Sequence, residues 1–358
     1  MEMKLRGLIL SGGSGTRLRP LTYTSAKQLV PVANKPVLFY GIEAMVDAGI
    51  EDISIIISPQ TGDEIRAVAG DGAQWGIRIH YVVQDEPLGL AHAVLTAEES
   101  LESQPFAMYL GDNLLRDGIA SFADRFRETR PEALILLQHV PNPSQYGVAE
   151  LEDGRVVRLT EKPAEPKSDL ALVGVYMFQP SIFDACRVIE PSARGELEIA
   201  DAIQTLIDRG LAVEPHIVTG WWKDTGQWAD MMEANRLVLD AIERSVEGEV
   251  HDSHVEGRVV LAPGARLERC RVRGPVTIGA GAVVRDAYIG PYTAIGPGCH
   301  IDHCEIENSI ILEGSIVADL DVRLEGSLIG RNVRVRRTQS KPKAYRLLVG
   351  DNSEIKIP

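Results

Sequence analysis

The sequence lacks long apolar runs, has few cysteines and is short of basic residues. No stretch approaches the roughly 18 to 20 consecutive apolar residues that span a bilayer, which excludes an integral membrane protein. Cys186, Cys270, Cys299 and Cys304 show no CxxC spacing, a pattern that favours reduced core thiols over disulfides or a zinc site. The apolar stretch at the N-terminus is too short for a signal peptide, so we expect a cytoplasmic protein.

Basic residues are outnumbered, with 37 Lys and Arg against 51 Asp and Glu and a net charge of -14. This charge repels nucleic-acid backbones and anionic membranes at long range, so neither is an expected partner. A small phosphorylated ligand can still bind where a few cations and backbone amides converge. The length of 358 residues, with 44% hydrophobic and 25% charged residues, predicts two globular domains.

From Leu5 to about Gly220, short apolar runs alternate with helical patterns such as Leu38–Ala48, which ends at Gly49. This alternation predicts an α/β domain with a mostly parallel sheet, helices on both faces and ligands beyond the carboxyl ends of the strands. The predicted strands are Leu5–Leu10, Ile53–Ile57, Ile77–Val83, Pro105–Tyr109, Ala133–Gln138 and Leu172–Phe178.

From Trp228 to Val246 the apolar residues form an amphipathic stripe, which predicts a connector helix. After this segment the sequence pattern changes. From Val255 the chain consists of short pieces that each begin with an aliphatic residue, at steps of six, six and five. Three pieces per 17-residue turn predict a triangular parallel β-helix of about five coils. One predicted column contains Leu261, Ile278, Ile295, Leu312 and Ile329, and another contains Cys270, Ala287 and Cys304 as core filling.

These patterns predict a first domain over residues 1–227, a connector helix over 228–250 and a β-helix over 251–358. The repeat is lost after Arg337 and resumes at most once, from Val349. The flat faces of such a prism are suited to the assembly of subunits, so we expect a homo-oligomer.

The turn after the first strand carries the strongest chemical signal. It runs Leu10-Ser-Gly-Gly-Ser-Gly-Thr-Arg17, with three glycines in four positions. Such a loop lets backbone N–H groups approach phosphate oxygens, and Arg17 adds a cation, so it predicts a triphosphate cradle. The spacing fits neither GxGxxG with a later acidic residue nor GxxxxGK[ST], which excludes dinucleotide and P-loop sites.

A second segment, KQLVPVANKP with Lys27 at its start, follows within a few residues. GGSGTRLRPLT followed by KQLVPVANKP resembles the sugar-1-phosphate nucleotidylyltransferase family, and within it the long-form thymidylyltransferases. The resemblance implies a Rossmann-like nucleotidyltransferase domain followed by a left-handed β-helix. It also implies transfer of a thymidylyl group from dTTP to glucose 1-phosphate, with Mg²⁺ as cofactor, for deoxysugar biosynthesis.

The resemblance implies a nucleotide side and a metal site. Gln84 in VVQDEPLGL offers the pyrimidine both a donor and an acceptor, and Asp112 and Asp224 match the two metal carboxylates of the family. Arg17 and Lys27 are the implied catalytic cations. The other implied nucleotide contacts are Leu10, Gly12, Gly13, Ser14, Gly15, Thr16, Pro87, Gly89 and Asp112.

The resemblance also implies a pocket for the hexose phosphate. Glu161 would accept hydrogen bonds from sugar hydroxyls, the catalytic Lys162 would hold the sugar phosphate, and Arg194 would be a second phosphate contact. The remaining implied contacts are Tyr146, Gly147 and Val173, in SQYGVAEL and LVGVY.

Three alternatives stay open from the residues alone. Gln84 can pair with uracil as well as thymine, so UTP is an alternative donor. A β-helix can also carry acyl transfer through a histidine base, for which His251, His254, His300 and His303 are available. A non-catalytic sensor of nucleotide sugars is the third alternative, although such sensors commonly lose the metal carboxylates or the arginine that this chain keeps.

Overall fold

The chain forms two compact units in a computed structural model that describes residues 3–13, 15–337 and 345–357. The first unit comprises residues 1–14 and 37–224, and the second comprises residues 15–36 and 225–358. The sequence places the first domain boundary after residue 227. The division in the structure differs because Gly15–Pro36, hereafter the arm, belongs to the second unit.

Thirty strands and eight α-helices are defined in the described residues. The strands up to residue 224 are β1 (Arg6–Leu10), β2 (Pro31–Val32), β3 (Lys35–Pro36), β4 (Asp52–Ile57), β5 (Arg78–Val83), β6 (Phe106–Leu110), β7 (Asn113–Leu115), β8 (Ala133–His139), β9 (Gly147–Glu152), β10 (Arg155–Glu161), β11 (Leu170–Phe178), β12 (Val213–Ile217) and β13 (Trp222–Asp224). The helices are α1 (Val37–Asp47), α2 (Gly62–Ala69), α3 (Leu90–Thr96), α4 (Glu98–Leu101), α5 (Ala120–Thr129), α6 (Ser181–Cys186), α7 (Ile199–Asp208) and α8 (Trp228–Leu239). Short 3₁₀ turns lie at Thr16–Leu18, Leu21–Tyr23, Lys27–Leu29, Ala73–Trp75 and Pro143–Gln145.

The first unit is built on a nine-stranded sheet in the order β10-β9-β11-β6-β1-β4-β5, with β8 pairing β11 and β12. Strands β6, β1, β4 and β5 are parallel, whereas β9, β10 and β11 pair antiparallel with their neighbours. The predicted strands end within two residues of the observed ones. The β9–β10 hairpin was not among the predicted elements, although Asp153-Gly154 between its strands is a strong turn signal.

The core of this unit lies on both faces of the sheet. Every residue of β4 and of β11 is buried, as expected for strands covered by helices on both sides. Phe106 of β6 packs ring against ring with Phe178 of β11 and with Phe183 of α6. The parallel strands lie in the order β5-β4-β1-β6. From β1 the chain adds β4 and β5 on one side and then β6 on the other side. Ligands in open α/β sheets bind at such a switch point, here between β1 and β6.

The second unit contains three parallel sheets consistent with the predicted left-handed β-helix. Their strands are β14 (Ser245–Val246), β15 (Glu249–His251), β16 (His254–Glu256), β17 (Val259–Leu261), β18 (Arg266–Glu268), β19 (Arg271–Arg273), β20 (Val276–Ile278), β21 (Val283–Arg285), β22 (Tyr288–Ile289), β23 (Thr293–Ile295), β24 (His300–Asp302), β25 (Glu305–Glu307), β26 (Ile310–Ile311), β27 (Ile316–Ala318), β28 (Leu324–Glu325), β29 (Leu328–Ile329) and β30 (Arg334–Arg336). They form sheets of six, six and five strands.

The 17-residue register holds in the first coils and then changes. Leu261 pairs with Ile278, and Ile278 with Ile295, as predicted. Ile295 then pairs with Ile311, and Ile311 with Ile329, so the predicted place of Leu312 in this column is wrong. The coil before Ile311 is one residue shorter, and Leu312 packs instead against Met232 outside the prism.

Three further predictions concern the second unit. Cys270, Ala287 and Cys304 are buried in the prism core, as predicted. Helix α8 ends at Leu239, earlier than the predicted stripe to Val246, because Ser245 and Val246 already pair with β17. Residues 345–357 form no strand within the part of the chain that is described, so the repeat does not resume from Val349.

Within the described ranges, no helix combines the length and apolar character needed to cross a membrane.

Candidate active site

The candidate nucleotide site lies where β1 and β6 end beside each other. The chain leaves β1 through Ser11 and Gly12 and leaves β6 through Gly111 and Asp112. A Cβ at Gly111 would lie 2.6 Å from Ser11 Oγ, and one at Gly12 would lie 3.3 Å from Gln84 Oε1. Glycine therefore allows the two strand ends and Gln84 to approach closely. Of the predicted contacts nearby, Leu10 is buried, Gly13 is exposed, and Ser14 lies outside the described residues.

Gln84 is held in a fixed position at the end of β5. Its side chain is buried, and Nε2 lies 2.9 Å from His92 Nδ1 and 3.3 Å from the Gly89 carbonyl oxygen. The Gln84 backbone N–H donates to the Ile57 carbonyl at 2.9 Å. The amide thus presents Oε1 toward Gly12, at the edge where a nucleobase is predicted to lie.

The loop before α3 is fastened to the segment that follows Arg194. The Leu197 N–H donates to the Leu88 carbonyl at 2.8 Å, and the Ala91 N–H donates to the Leu197 carbonyl at 3.0 Å. Gly89 has a φ of 105°, and a Cβ there would lie 2.5 Å from the Leu197 oxygen. Only glycine fits this position without displacing backbone. Pro87, also predicted to contact the nucleotide, is exposed on the same loop.

The chain segments that carry the two predicted metal ligands lie side by side through pairing of β7 with β13. Asp224 lies opposite Asn113, the residue after Asp112. Trp222 Nε1 donates to Asn113 Oδ1 at 2.5 Å, and Asn113 Nδ2 donates to Asp112 Oδ1 at 2.9 Å. A continuous hydrogen-bond chain therefore orients Asp112 from the strand that carries Asp224. Two carboxylates so placed offer the oxygen ligands that a hard divalent cation prefers.

Four of the residues predicted to bind the hexose phosphate, hereafter the sugar-side residues, lie at the open end of the β9–β10 hairpin. They are Tyr146, Gly147, Glu161 and Lys162. Gly147 pairs with Glu161, and a Cβ at Gly147 would lie 3.0 Å from Glu161 Oε2. The Lys162 N–H donates to the Tyr146 carbonyl at 3.0 Å. The Tyr146 ring packs edge-on against Trp222 with centroids 5.2 Å apart. Trp222 therefore contacts both the sugar-side residues and the chain that holds Asp112.

Lys162 has a φ of 40°, in the left-handed region that residues other than glycine rarely adopt. Its Nζ lies 3.6 Å from Glu161 Oε1, and its side chain is about half exposed. Strained residues of this kind cluster at functional sites, where surrounding structure holds them. Here the hydrogen bond to the Tyr146 carbonyl and the end of β10 hold the backbone in this conformation.

Arg194 joins three carboxylates near Lys162. Its Nη2 lies 2.8 Å from Glu198 Oε1, 3.2 Å from Glu161 Oε1 and 3.6 Å from Glu196 Oε2. Glu198 is buried and also accepts a hydrogen bond from Ser192 Oγ at 2.7 Å. Burial raises the pKa of the Glu161 carboxyl above its ordinary value, although Lys162 and Arg194 oppose the shift.

Val173 and Gly174 lie in the middle of β11, where Gly174 faces Asn113, the residue that donates to Asp112. A Cβ at Gly174 would lie 2.6 Å from Asn113 Oδ1. The Val173 side chain is fully buried, so a ligand contact at this position would use its backbone.

Arg17 and Lys27 lie on the arm, in the second unit. The base of the arm is closed by Thr22, whose Oγ1 donates to the Gly15 carbonyl at 2.6 Å. A Cβ at Gly15 would lie 3.0 Å from Lys27 Cβ, and Thr16 and Arg17 are exposed. The position of Arg17 and Lys27 relative to the two aspartates stays a prediction.

Several side chains in these contacts were not predicted, among them His92, Asn113, Glu198 and Trp222. Glu198 had a signal in the sequence, because a second acidic residue in RGELEI next to an apolar helix start is a candidate buried partner for Arg194. Trp222 and Asn113 had none, because their contact depends on pairing of strands 109 residues apart.

The histidines considered for acyl transfer lie on the outer surface of the β-helix. His300 and His303 are exposed. His303 Nδ1 lies 2.9 Å from Asp302 and its Nε2 lies 3.8 Å from Asp286. An open depression on the same surface is lined by His254, Arg269 and Asp286, among other residues.

Comparison with known proteins decides the family. Residues 6–241 match the nucleotidyl transferase family. The chain is 55% identical over 357 residues to a glucose-1-phosphate thymidylyltransferase of Streptomyces antibioticus, with 99% of each chain covered. The chain belongs to the glucose-1-phosphate thymidylyltransferase family. A second member of this family, from Streptomyces griseus, is 50% identical over 355 residues and 99% of each chain.

A solved structure supports the same placement. It is assigned to a glucose-1-phosphate thymidylyltransferase of Bacillus anthracis in complex with sucrose, and it superposes with a TM-score of 0.62 at 33% identity. The match covers 65% of this chain and 94% of that one. The predicted family, enzyme class and fold are therefore confirmed. Nucleotidyltransferases of this kind generally use a divalent metal ion.

Proposed function

We propose that this enzyme transfers a thymidylyl group from dTTP to glucose 1-phosphate, forming dTDP-glucose and pyrophosphate for deoxysugar biosynthesis. The observation that carries the proposal is the pairing of β7 with β13, which brings Asp112 and Asp224 to the end of β6. Trp222 joins this pair to the sugar-side residues through Tyr146. Relatives over the full length of the chain carry the name of this activity.

The reaction is a single displacement at phosphorus. A phosphate oxygen of glucose 1-phosphate attacks the α-phosphorus of dTTP and forms the new P–O bond. The bond to the bridging β-phosphate oxygen breaks, and its electron pair leaves with pyrophosphate. Both reactants are anions, so charge neutralisation and in-line positioning supply most of the rate enhancement, and no covalent enzyme intermediate is needed.

On the nucleotide side, the backbone amides of Gly12 and Gly13 approach the phosphates, and Arg17 and Lys27 neutralise their charge. Gln84 pairs with the edge of the base, and its contact with His92 keeps the amide from rotating. In this proposal, Gly12, Gly13, Arg17 and Lys27 bind the phosphates of dTTP, and Gln84 binds its base.

On the sugar side, Lys162 holds the attacking phosphate as a point charge. Glu161 accepts hydrogen bonds from the sugar hydroxyls. Arg194 approaches the phosphate through Nη1 or Nε, because Nη2 already faces Glu161, Glu196 and Glu198. These three residues therefore both bind glucose 1-phosphate and balance each other's charge.

Mg²⁺ fits the paired aspartates, since it is bound in proteins through one or two carboxylates and substrate phosphates. Asp112 and Asp224 would hold it, and when bound it would neutralise charge on the phosphate oxygens of dTTP. Asn113 and Trp222 keep Asp112 oriented toward the site.

The test is pyrophosphate release from dTTP and glucose 1-phosphate by the variants Lys162→Ala and Asp112→Asn. Removing one preorganised charge costs on the order of 10² to 10³ in kcat. The matched controls are Lys167→Ala and Asp117→Asn, which alter exposed residues paired with Glu150 and Arg116. EDTA should stop release by the parent enzyme, and Mg²⁺ should restore it. Near-full turnover by either site variant would contradict the assignment.

Preference for thymine over uracil is a separate part of the proposal. Packing around one methyl group discriminates by roughly 1 to 3 kcal/mol, about 10- to 200-fold in kcat/KM. We therefore expect UTP to be a slow substrate. Assays with four nucleoside triphosphates and several hexose 1-phosphates measure this preference, and equal rates with UTP would show that the enzyme is not specific for the thymine base.

A further inference from the structure

One of the three faces of the β-helix differs from the other two. On the sheets that contain β18 and β19, most outward positions are charged or polar, as at Arg266, Glu268, Arg271 and Arg273. On the sheet that contains β17, the outward positions are small or apolar and are largely buried: Val260, Thr277, Ala294, Ile310 and Leu328. This third face, hereafter the docking face, is covered within the same chain.

Apolar contacts join the arm to the docking face. Leu21 of the arm packs in one cluster with Met232 of α8 and with Ile310, Leu312 and Leu328. Leu312 enters this cluster because of the register change at Ile311. The irregular coil of the β-helix thus supplies part of the surface that contacts the arm.

Polar contacts hold the tip of the arm, the hairpin between β2 and β3. Its two turn residues, Ala33 and Asn34, both have positive φ, at 48° and 66°. Asn34 Nδ2 donates to the Ile295 carbonyl at 2.8 Å, on the docking face. Asn235 of α8 is fully buried. Its Oδ1 accepts from the Ala33 N–H at 2.9 Å, and its Nδ2 donates to the Tyr292 carbonyl at 3.1 Å.

Two further hydrogen bonds hold the middle of the arm. Arg331 Nη1 donates to Ser25 Oγ at 3.3 Å, and the same guanidinium lies 3.2 Å from Glu313. Asn352 Nδ2 donates to the Tyr23 hydroxyl at 2.6 Å. The arm is therefore attached along its length to other parts of the second unit, namely α8, the β-helix and Asn352.

We propose that the β-helix is a positioning element for catalysis, in which Asn34 and Asn235 fix the arm and thereby place Arg17 and Lys27. The inference rests on the proposed function, because it assumes that these two cations neutralise dTTP. A flexible arm would lose conformational entropy each time dTTP bound. An arm already ordered by the docking face avoids that loss, so binding and catalysis gain from preorganisation.

The test is Asn34→Gly in the full-length enzyme. Glycine keeps the left-handed turn and removes only the side-chain contacts with the docking face. The matched control is Asn308→Gly, which makes the same change at another residue with positive φ, 44°, at a corner of the β-helix. Asn235→Leu is a second variant that removes the hydrogen bonds from the α8 side.

We expect Asn34→Gly to raise the KM for dTTP or lower kcat by about tenfold, the loss expected for one or two hydrogen bonds. The KM for glucose 1-phosphate should change less than twofold. Amide hydrogen exchange should accelerate in Gly15–Pro36 and stay unchanged in the β-helix core. The control variant should show none of these changes.

Two results would overturn the inference. One is faster amide hydrogen exchange in the arm together with an unchanged kcat and an unchanged KM for dTTP. The other is unchanged amide hydrogen exchange in both Asn34→Gly and Asn235→Leu. Arg17→Ala and Lys27→Ala, assayed in parallel, separate this failure from that of the proposed function. If those variants lose activity and Asn34→Gly does not, only the positioning role is wrong. If those variants keep activity, the proposed roles of Arg17 and Lys27 are wrong.

Discussion

At the scale of residues, Trp222 joins the two halves of the candidate site. Its indole N–H holds Asn113, which holds Asp112, and its ring packs against Tyr146. The side chain is buried, so its N–H and the Asn113 carbonyl depend on each other for a partner. The predicted metal site therefore depends on a residue with no predicted catalytic role.

Trp222→Phe should keep the ring contact and leave Asn113 Oδ1 without its donor. An unsatisfied buried acceptor costs about 1 to 3 kcal/mol, and Asp112 should lose orientation. We expect a lower kcat and a higher Mg²⁺ concentration for half-maximal activity, measured by titrating Mg²⁺ at saturating substrate. Trp228→Phe, at a half-exposed tryptophan, is the control. An unchanged Mg²⁺ dependence would show that Asp112 is oriented by other contacts.

Gly89 lies on the loop between Gln84 and α3, in close contact with the Leu197 backbone. In Gly89→Ala, the added methyl group would meet the Leu197 backbone at 2.5 Å, on a residue whose φ is 105°. The backbone must shift, because no flexible side chain is available to move. We expect KM to rise about tenfold or more for both substrates, measured in steady-state assays. Gly76→Ala, where a Cβ meets open space despite a φ of 72°, is the control for backbone strain alone.

At the scale of elements, ion pairs connect neighbouring strands of the sheet at the edge opposite to the candidate site. Asp52, at the start of β4, is buried and accepts hydrogen bonds from Arg78 of β5 at 2.7 and 2.8 Å. Arg6 of β1 lies 3.2 Å away and Lys4 lies 3.4 Å away. One carboxylate thus ties three parallel strands. The hydrogen bond from Arg78 is the main cause that lowers the pKa of Asp52 to about 2, and Arg6 adds to it.

This network predicts a specific pH dependence of stability. The folded-state pKa of Asp52 is about 2 and its ordinary value is 3.8, so its stabilisation is complete above the ordinary value and is lost as the pH falls toward 2. Asp52→Asn should lower the free energy of unfolding by about 1 to 2 kcal/mol at pH 7, since solvent screens the exposed Arg78 and Lys4.

Urea unfolding of the parent and Asp52→Asn between pH 3 and pH 7 measures this difference. The difference in urea midpoint between the parent and Asp52→Asn should become smaller as the pH falls. Asp63→Asn, on the exposed side of α2, should behave like the parent at each pH. A gap that stays constant with pH would mean that the charge of Asp52 does not stabilise the sheet.

At the scale of the whole molecule, each unit has its own core. Helices and the mixed sheet surround the first core, and stacked aliphatic residues of successive coils form the second. A coil cannot bury its aliphatic residues alone, so its stability depends on its neighbours. A cavity inside one coil should therefore weaken several coils together.

Ile301→Ala tests this coupling. Ile301 is buried between Val284 and Val317 of the adjacent coils, and removing its methyl groups should cost about 2 to 5 kcal/mol. His300→Ala changes the exposed neighbour on the same strand and should cost under about 0.5 kcal/mol. Hydrogen exchange should accelerate in the coils on both sides of Ile301 and stay unchanged in the first core. Acceleration limited to β24 would contradict the coupling.

Local patterns in the sequence predicted much of this protein. The runs of apolar residues predicted the strands of the first unit, because a strand covered on both faces needs no alternation. The 17-residue repeat predicted the β-helix, because each coil repeats the same inward positions. The glycine-rich loop and its following segments indicated the family, and the family indicated the residues for the candidate site.

Only the tertiary structure decided how these pieces combine. The register change at Ile311, the pairing of Asp224 with Asn113 and the contact of Trp222 with Tyr146 arise between segments far apart in the chain. The same holds for the arm, whose residues follow β1 in sequence and yet pack with the β-helix. Periodicity and spacing describe neighbours along a chain, whereas these contacts depend on which surfaces bury the most apolar area and satisfy the most hydrogen bonds.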